Sequence, residues 1–274
     1  MKRCRETWKG AVRLAGVCIF IAANKPTRFP QVSGYQPILL GTGNASVPAG
    51  MLSDAEGDSI AGKNPYYCEM TGLYWIWKNL ELPEIVGFCH YRRYFAFHPG
   101  CDGSSWETLE QAISLEGVEG ALGTADAILP RPIRVGTVEE QYATNNRRED
   151  MEIVKDILRA QHPECVPAME AVLGGQKLYT GNMMVVRREL FHDYMEWLFP
   201  ILFQAEERIS IPYEDPYQRR VLGFLSERLL NIYLVYRELR LLECPLIVLP
   251  PLNKSSGDLR RRNMDSGRPV KRPR

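Results

Sequence analysis

Asn64-Pro-Tyr-Tyr-Cys-Glu-Met-Thr-Gly-Leu-Tyr-Trp-Ile-Trp-Lys-Asn79, followed closely by Gly87-Phe-Cys-His-Tyr-Arg-Arg-Tyr-Phe95, decides the reading of this chain. In the first stretch Tyr66, Met70, Leu73 and Trp77 recur at helical spacing, so one helix face belongs to a core. Asn64 reads as its N-cap, with Pro65 in the first turn. The second stretch is a short apolar strand, Ile85 to Cys89, that runs into His90, Tyr91, Arg92 and Arg93. Fixed cations at the end of a buried strand are costly unless an anion meets them. In open α/β sheets ligands bind at that end of a strand. The pattern therefore points to a phosphate-bearing ligand held by arginines, with aromatic rings nearby.

Working outward, Val17 to Ala22 and Ile38 to Leu40 read as buried strands, and Gly41 to Gly62 as a loop. Ala125 to Leu129 and Met183 to Val186 are further strands, and Leu246 to Leu249 is a candidate last one. Thr137 with Glu140 marks a capping box that opens a helix towards Gln161. Further helices are expected over 188–203 and 218–239. Strands and helices alternate without an internal repeat. The fold class is α/β: one Rossmann-like domain over 1–252 with a mainly helical C-terminal region, then a basic, disordered tail over 253–274.

Composition agrees with a globular protein: 45% hydrophobic and 24% charged residues over 274 positions. The 34 Lys and Arg nearly balance 33 Asp and Glu, but eight of those bases and only two of the acids fall from Asn253 onward. The body is thus mildly acidic, which argues against a nucleic-acid binder. Seven scattered cysteines without a CxxC pair fit a reducing compartment rather than a disulfide framework or zinc site. No apolar run approaches the roughly 18 residues that span a bilayer. Basic residues up to Arg13 before Ala15–Ala23 imitate a short secretory segment. A buried first strand is the preferred reading, because cleavage after Ala23 would remove it.

Each candidate for chemistry has a plainer alternative. Arg92 and Arg93 could simply close a strand on the surface, yet apolar residues flank them on both sides. A guanidinium fork matches diphosphate oxygens. His90 suits a phosphate or a sugar hydroxyl. Most of the aromatics around Tyr67 belong to the core. Glu69, a carboxylate in so apolar a helix, needs a partner, and an arginine of the following strand is the expected one. Asp54, Glu56 and Asp58 imitate the start of a calcium loop, but Ser59 and Pro65 stand where glycine and glutamate are required, so a solvated loop is expected. There is no Asp-x-Asp at a strand end, no phosphate-cradling glycine spacing and no Gly-x-Ser-x-Gly elbow. Glu214, Asp215, Arg219 and Arg220 gather just before the last helix, where acidic residues also favour a helix start. Glu227, set between apolar positions, reads as a paired or functional carboxylate.

Asn64–Asn79, His90–Phe95, Gly181-Asn-Met183, Trp197-Leu-Phe199 and Gly223-Phe-Leu-Ser-Glu-Arg-Leu-Leu230 together resemble a bacterial family of capsular and exopolysaccharide biosynthesis proteins. That family was first described as a domain of unknown function and is regarded as glycosyltransferases of the GT-A type. The likeness runs in order from about Val17 to Pro250. It implies a GT-A fold, a nucleotide-sugar donor that is UDP-linked, and transfer of a hexose, in some members galactofuranose, to a growing or lipid-linked glycan. His90–Arg93 stands where many GT-A enzymes carry a metal-binding Asp-x-Asp, and arginines can neutralise a departing diphosphate in place of a metal. The chain departs from the family pattern at Asn24-Lys-Pro26, where His-Lys-Pro is expected, and after Tyr142, where a histidine is usual.

These readings yield a cytoplasmic glycosyltransferase without a metal or cofactor. Arg92 and Arg93 would stabilise the leaving group, with His90 and Tyr91 positioning it. Asn24, Lys25, Tyr67, Glu69 and Glu227 would touch or support substrate. Asn182, Glu214 and Asp215 would face the acceptor, one of the two acids acting as general base. The basic tail would hold the protein loosely at the inner membrane face. The alternative is a non-catalytic nucleotide- or glycan-binding relative that regulates polysaccharide assembly.

Overall fold

The apolar run Val-Cys-Ile-Phe-Ile-Ala-Ala is a central strand, β1 (Val17–Ala23), in a computed structural model that describes residues 16–41, 46–101 and 103–250. Its side chains alternate between two cores, Cys18, Phe20 and Ala22 on one face and Ile19, Ile21 and Ala23 on the other, as a period of two requires when both faces are covered. The chain continues through β2 (Tyr35–Leu39), β3 (Leu52–Ser53), α1 (Asn64–Tyr67), α2 (Met70–Asn79), β4 (Ile85–His90) and β5 (Arg93–Phe95). Then come α3 (Trp106–Ala112), α4 (Val118–Thr124), β6 (Ala127–Pro130), β7 (Ile133–Arg134), α5 (Val138–Asn145), α6 (Arg148–Gln161) and α7 (Val166–Leu173). The last elements are β8 (Lys177–Leu178), β9 (Met184–Arg187), α8 (Arg188–Arg208), α9 (Val221–Tyr236), β10 (Leu241–Cys244) and β11 (Leu246–Val248).

The main sheet runs β10-β6-β9-β4-β1-β2-β3, with β5 and β11 paired beside β4, and β7 and β8 form a separate ribbon. β1 is parallel to both β2 and β4, whereas β9 is antiparallel to β4 and β6. The larger core lies under α2, α6, α7, α8 and α9, and the smaller under α3 and α4. The helical C-terminal region is therefore one wall of the larger core.

Several expectations need correction. The helix expected over Asn64–Asn79 is two helices, broken at Cys68, whose φ is +54°. Asn64 is not an N-cap but the first residue of α1, and its amide donates to the Cys68 carbonyl (2.8 Å) and Thr71 Oγ1 (3.0 Å), bracing the break. Thr137 does cap α5 by accepting the Glu140 amide, but the helix expected to reach Gln161 is interrupted at Asn146. The helix begun at Arg188 runs on to Arg208, and the last one spans only Val221–Tyr236 after a 3₁₀ turn, Gln218–Arg220. Residues 251–274, and with them the expected tail, lie outside the described residues.

Asp54 is not in a solvated loop. It is fully buried, accepting Gly41 N–H (2.9 Å) and Thr71 O–H (2.6 Å), and so ties the loop after β3 to α2. Burial pushes its carboxyl above the ordinary value of 3.8, although both hydrogen bonds pull it back. The folded state then keeps this proton to higher pH than the unfolded chain, so the Asp54 contribution is full below pH 3.8 and declines as pH rises through the raised value. Asp54→Asn should make the slope of unfolding free energy against pH less negative as pH rises above 3.8, read by urea unfolding at a series of pH values. An identical slope in parent and variant would refute the assignment.

Candidate functional site

β1 and β4 are adjacent and parallel, with Ala22 opposite His90, and the Tyr91 amide donates to the Ala22 carbonyl at 3.0 Å. From β1 the chain leaves first to β2 on one side and returns as β4 on the other. Such a switch point leaves a crevice beyond the carboxyl ends of the strands. The crevice is a cleft of about 560 Å³, within the roughly 300–1,000 Å³ of small-molecule sites. Asn24, His90, Tyr91, Arg92 and Arg93 line one side, Cys68 and Glu69 another, and Gly181, Pro216, Arg219, Arg220 and Glu227 the rest.

Four arginines therefore converge on one cleft. Among the described residues none of Arg92, Arg93, Arg219 and Arg220 forms an ion pair with a carboxylate. Arg92 lies 5.7 Å from the Tyr91 ring centroid and Arg220 5.0 Å from that of Phe224. The Arg219 Nε is buried without a hydrogen-bond partner among those residues. Burial works against the Arg220 charge, but Cys68, Glu69 and Glu227 hold its pKa above the ordinary value. Four guanidinium groups in one cleft outnumber the two carboxylates that line it, Glu69 and Glu227, and guanidinium forks match anionic oxygens.

A tight turn before β9 organises the far wall. Gly181 has φ +84°, where a side chain would be strained, and a Cβ there would stand 3.4 Å from Arg93 Nη1. Its carbonyl oxygen is 2.6 Å from His90 Nε2, and its amide donates to Glu227 Oε1 at 2.6 Å. Glu227 Oε2 in turn accepts from Arg228, which is 3% exposed. Burial raises the Glu227 pKa, Arg228 lowers it and Glu69 adds to the rise. Glu227 is thus the paired carboxylate the sequence indicated, and its pairing fixes the turn on which His90 rests.

Glu69 follows the break at Cys68, which brings its carboxylate to the cleft instead of continuing the helix. Its partner is not an arginine of the next strand. Oε1 accepts from Asn182 Nδ2 at 2.8 Å, and that amide also donates to Ser226 Oγ at 3.0 Å, whose own hydroxyl donates to the Gly223 carbonyl. Asn182 sits at φ +49°, a region asparagine tolerates better than most residues. Among the described residues Glu69 Oε2 has no hydrogen-bond partner. The result is a carboxylate aimed by a buried amide, with one oxygen left to the cleft.

Other candidates fall elsewhere. Tyr67 is fully buried and its hydroxyl donates to Glu206 Oε2 at 2.8 Å, so it is a core residue beside a Lys63–Glu206 ion pair, not a cleft residue. Asn182, 1% exposed, lies behind the cleft wall and does not face an acceptor. Lys25 is exposed and does not line the cleft, whereas Asn24 does. Glu214 and Asp215 are exposed in the turn that precedes the lining residue Pro216 and do not line the cleft themselves. Asp215 Oδ1 accepts the Tyr217 and Gln218 amides, and these bonds hold its pKa below the ordinary value, which makes it a cap and a weak base. From that stretch it is Arg219 and Arg220, with Pro216, that line the cleft, so the pair is more than a charged helix start. Among the described residues no group of three or more His, Cys, Asp or Glu is arranged to hold a metal ion.

Fold and cleft define an α/β protein with an arginine-lined cleft at its switch point. The chain belongs to the family described as a domain of unknown function (DUF4422), which matches residues 18–238. It is also similar to the apo structure of WbbM, described as a bifunctional glycosyltransferase, at 30% identity and a TM-score of 0.78. That match covers 85% of this chain and 45% of the other, so this chain spans less than half the length of its structural relative. The Rossmann-like, GT-A expectation for the fold agrees with this likeness. No curated protein matches the chain.

Proposed function

We propose that this chain is a glycosyltransferase that moves a hexose from a nucleotide sugar to a glycan or lipid-linked glycan in the synthesis of a bacterial surface polysaccharide such as a capsule. The observation that carries the proposal is the set of four guanidinium groups, none in an ion pair with a carboxylate among the described residues, around one cleft at the switch point. The likeness to a bifunctional glycosyltransferase supports it. The donor is UDP-linked in this reading, and galactofuranose is one candidate sugar. The arginines neutralise charge on the departing diphosphate, a task that other enzymes give to a divalent cation. His90, Tyr91 and Asn24 position the donor.

Glu69, in place of Glu214 or Asp215, is the carboxylate assigned as general base. It takes the proton of the acceptor hydroxyl as the new bond to the anomeric carbon forms and the bond to the diphosphate breaks. The work is cytoplasmic in this proposal, with the basic residues after Asn253 attracting anionic lipid. Among the described residues, no helix is long and apolar enough to cross a membrane.

Two measurements test the reading. Thermal shift against nucleotide sugars should show stabilisation of roughly 2.7 kcal/mol at about 100 times the dissociation constant. Transfer should then survive EDTA, because the cleft supplies fixed positive charge of its own. Loss of transfer in chelator, restored by manganese or magnesium, would overturn the metal-free mechanism. Binding without turnover of any donor would favour a regulatory, non-catalytic relative.

A further inference from the structure

The segment 211–217 carries Pro216 into the cleft lining and places Tyr213 and Tyr217 on either side of it. These rings are 60% and 47% exposed. Among the described residues the other exposed large apolar side chains, Val47, Ile133, Val235 and Leu242, are all aliphatic. Both exposed aromatics therefore adjoin the cleft lining, Tyr213 against the ring of Tyr66 next to Pro65 and Tyr217 directly after Pro216.

Neither ring is loose. Tyr213 packs edge-on against Tyr66, with centroids 5.9 Å apart, and Tyr217 packs against Phe224 at 5.0 Å. The segment is pinned at both ends, by Arg147 donating to the Ser210 carbonyl and by Gln218 donating to that of Asn145, each at 2.8 Å. Asp215 secures the turn between the rings. Two aromatic faces are thus held in place while remaining open to solvent, so little side-chain freedom is lost when something covers them.

Charge selects what can cover them. The arginines inside the cleft favour anionic oxygen, but the rim between the two rings presents the exposed carboxylates of Glu214 and Asp215. These repel a second phosphate group and accept hydrogen bonds from hydroxyls. A ligand with an apolar C–H face for the rings and hydroxyls for the acids is a neutral sugar.

We propose that Tyr213 and Tyr217, with Glu214 and Asp215, form a subsite for the acceptor saccharide beside the donor cleft. This rests on the glycosyltransferase reading for the name of the ligand, but not for its detection. Saturation-transfer NMR with octyl β-galactoside as the probe and no donor present should show the sugar protons contacting the wild-type protein. Tyr213→Ala/Tyr217→Ala should weaken that contact by roughly tenfold in affinity. Both side chains are surface residues, and an unchanged melting temperature checks that the variant is folded. Calorimetric binding of UDP should stay within about twofold of wild type, because the arginines are untouched. No transfer to the sugar in the wild type, or equal transfer in the variant, overturns the subsite. Failure of the wild type to bind UDP overturns the donor reading instead.

Discussion

Replacing Arg92 or Arg93 with alanine should weaken UDP binding by about 1.5–3 kcal/mol for each charged hydrogen bond lost, or roughly ten- to a hundredfold in dissociation constant. Both side chains line the cleft, and neither is paired with a carboxylate among the described residues. Removing one should therefore cost ligand affinity and leave little damage behind in the fold. The variants should melt close to the parent in the absence of ligand. Arg219 and Arg220 provide an internal comparison, since they reach the same cleft from the turn before α9. Calorimetry on a folded Arg92→Ala/Arg93→Ala protein decides the matter: an affinity equal to wild type would sink the assignment of these arginines to the diphosphate.

Glu69→Gln should lower kcat by about 10²- to 10⁴-fold, the usual contribution of a general base. The amide keeps an oxygen for Asn182, so the hydrogen bond at Oε1 can persist while the proton acceptor is lost. Nucleotide affinity should change far less than kcat, because the group acts on the acceptor hydroxyl. Rates within about threefold of wild type, or a product that retains the anomeric configuration of the donor, would each refute this role.

Much of the scaffold was legible because it is simple. β1, β4 and β9 are apolar runs buried on both faces, and α8 and α9 are long enough for their periodicity to show. β10 was missed because Leu242 and Glu243 are exposed at the sheet edge, so no apolar run marks it. α3 and α4 have seven residues each, too short for a period of 3.6 to declare itself. The break at Cys68 is hidden for another reason: Met70 and Leu73 keep the spacing set by Tyr66, and the local pattern is the same whether the chain kinks or not.

The site divides along the same line. Arg92 and Arg93 could be read because cations after an apolar strand conflict with their surroundings, and such conflict is local. Glu69 was noticed for the same reason. Its partner could not be read, since Asn182 is 113 positions away and only the fold brings them together. Tyr67 was misjudged because its neighbours are all aromatic. Adjacency in sequence does not say which ring turns to the cleft and which to Glu206.

The short contact between His90 Nε2 and the Gly181 carbonyl has one more consequence. A carbonyl oxygen only accepts, so Nε2 must carry the hydrogen, and this selects one of the two tautomers of the neutral ring. Nδ1 is then a bare lone pair. In that form His90 can receive a hydrogen bond but cannot give a second one, which suits it to a hydroxyl of the sugar and not to a phosphate oxygen. In the proposed reaction the Gly181 turn would thus divide labour within His90–Arg93: the guanidinium groups would take the anion, and the neutral imidazole a hydroxyl of the sugar.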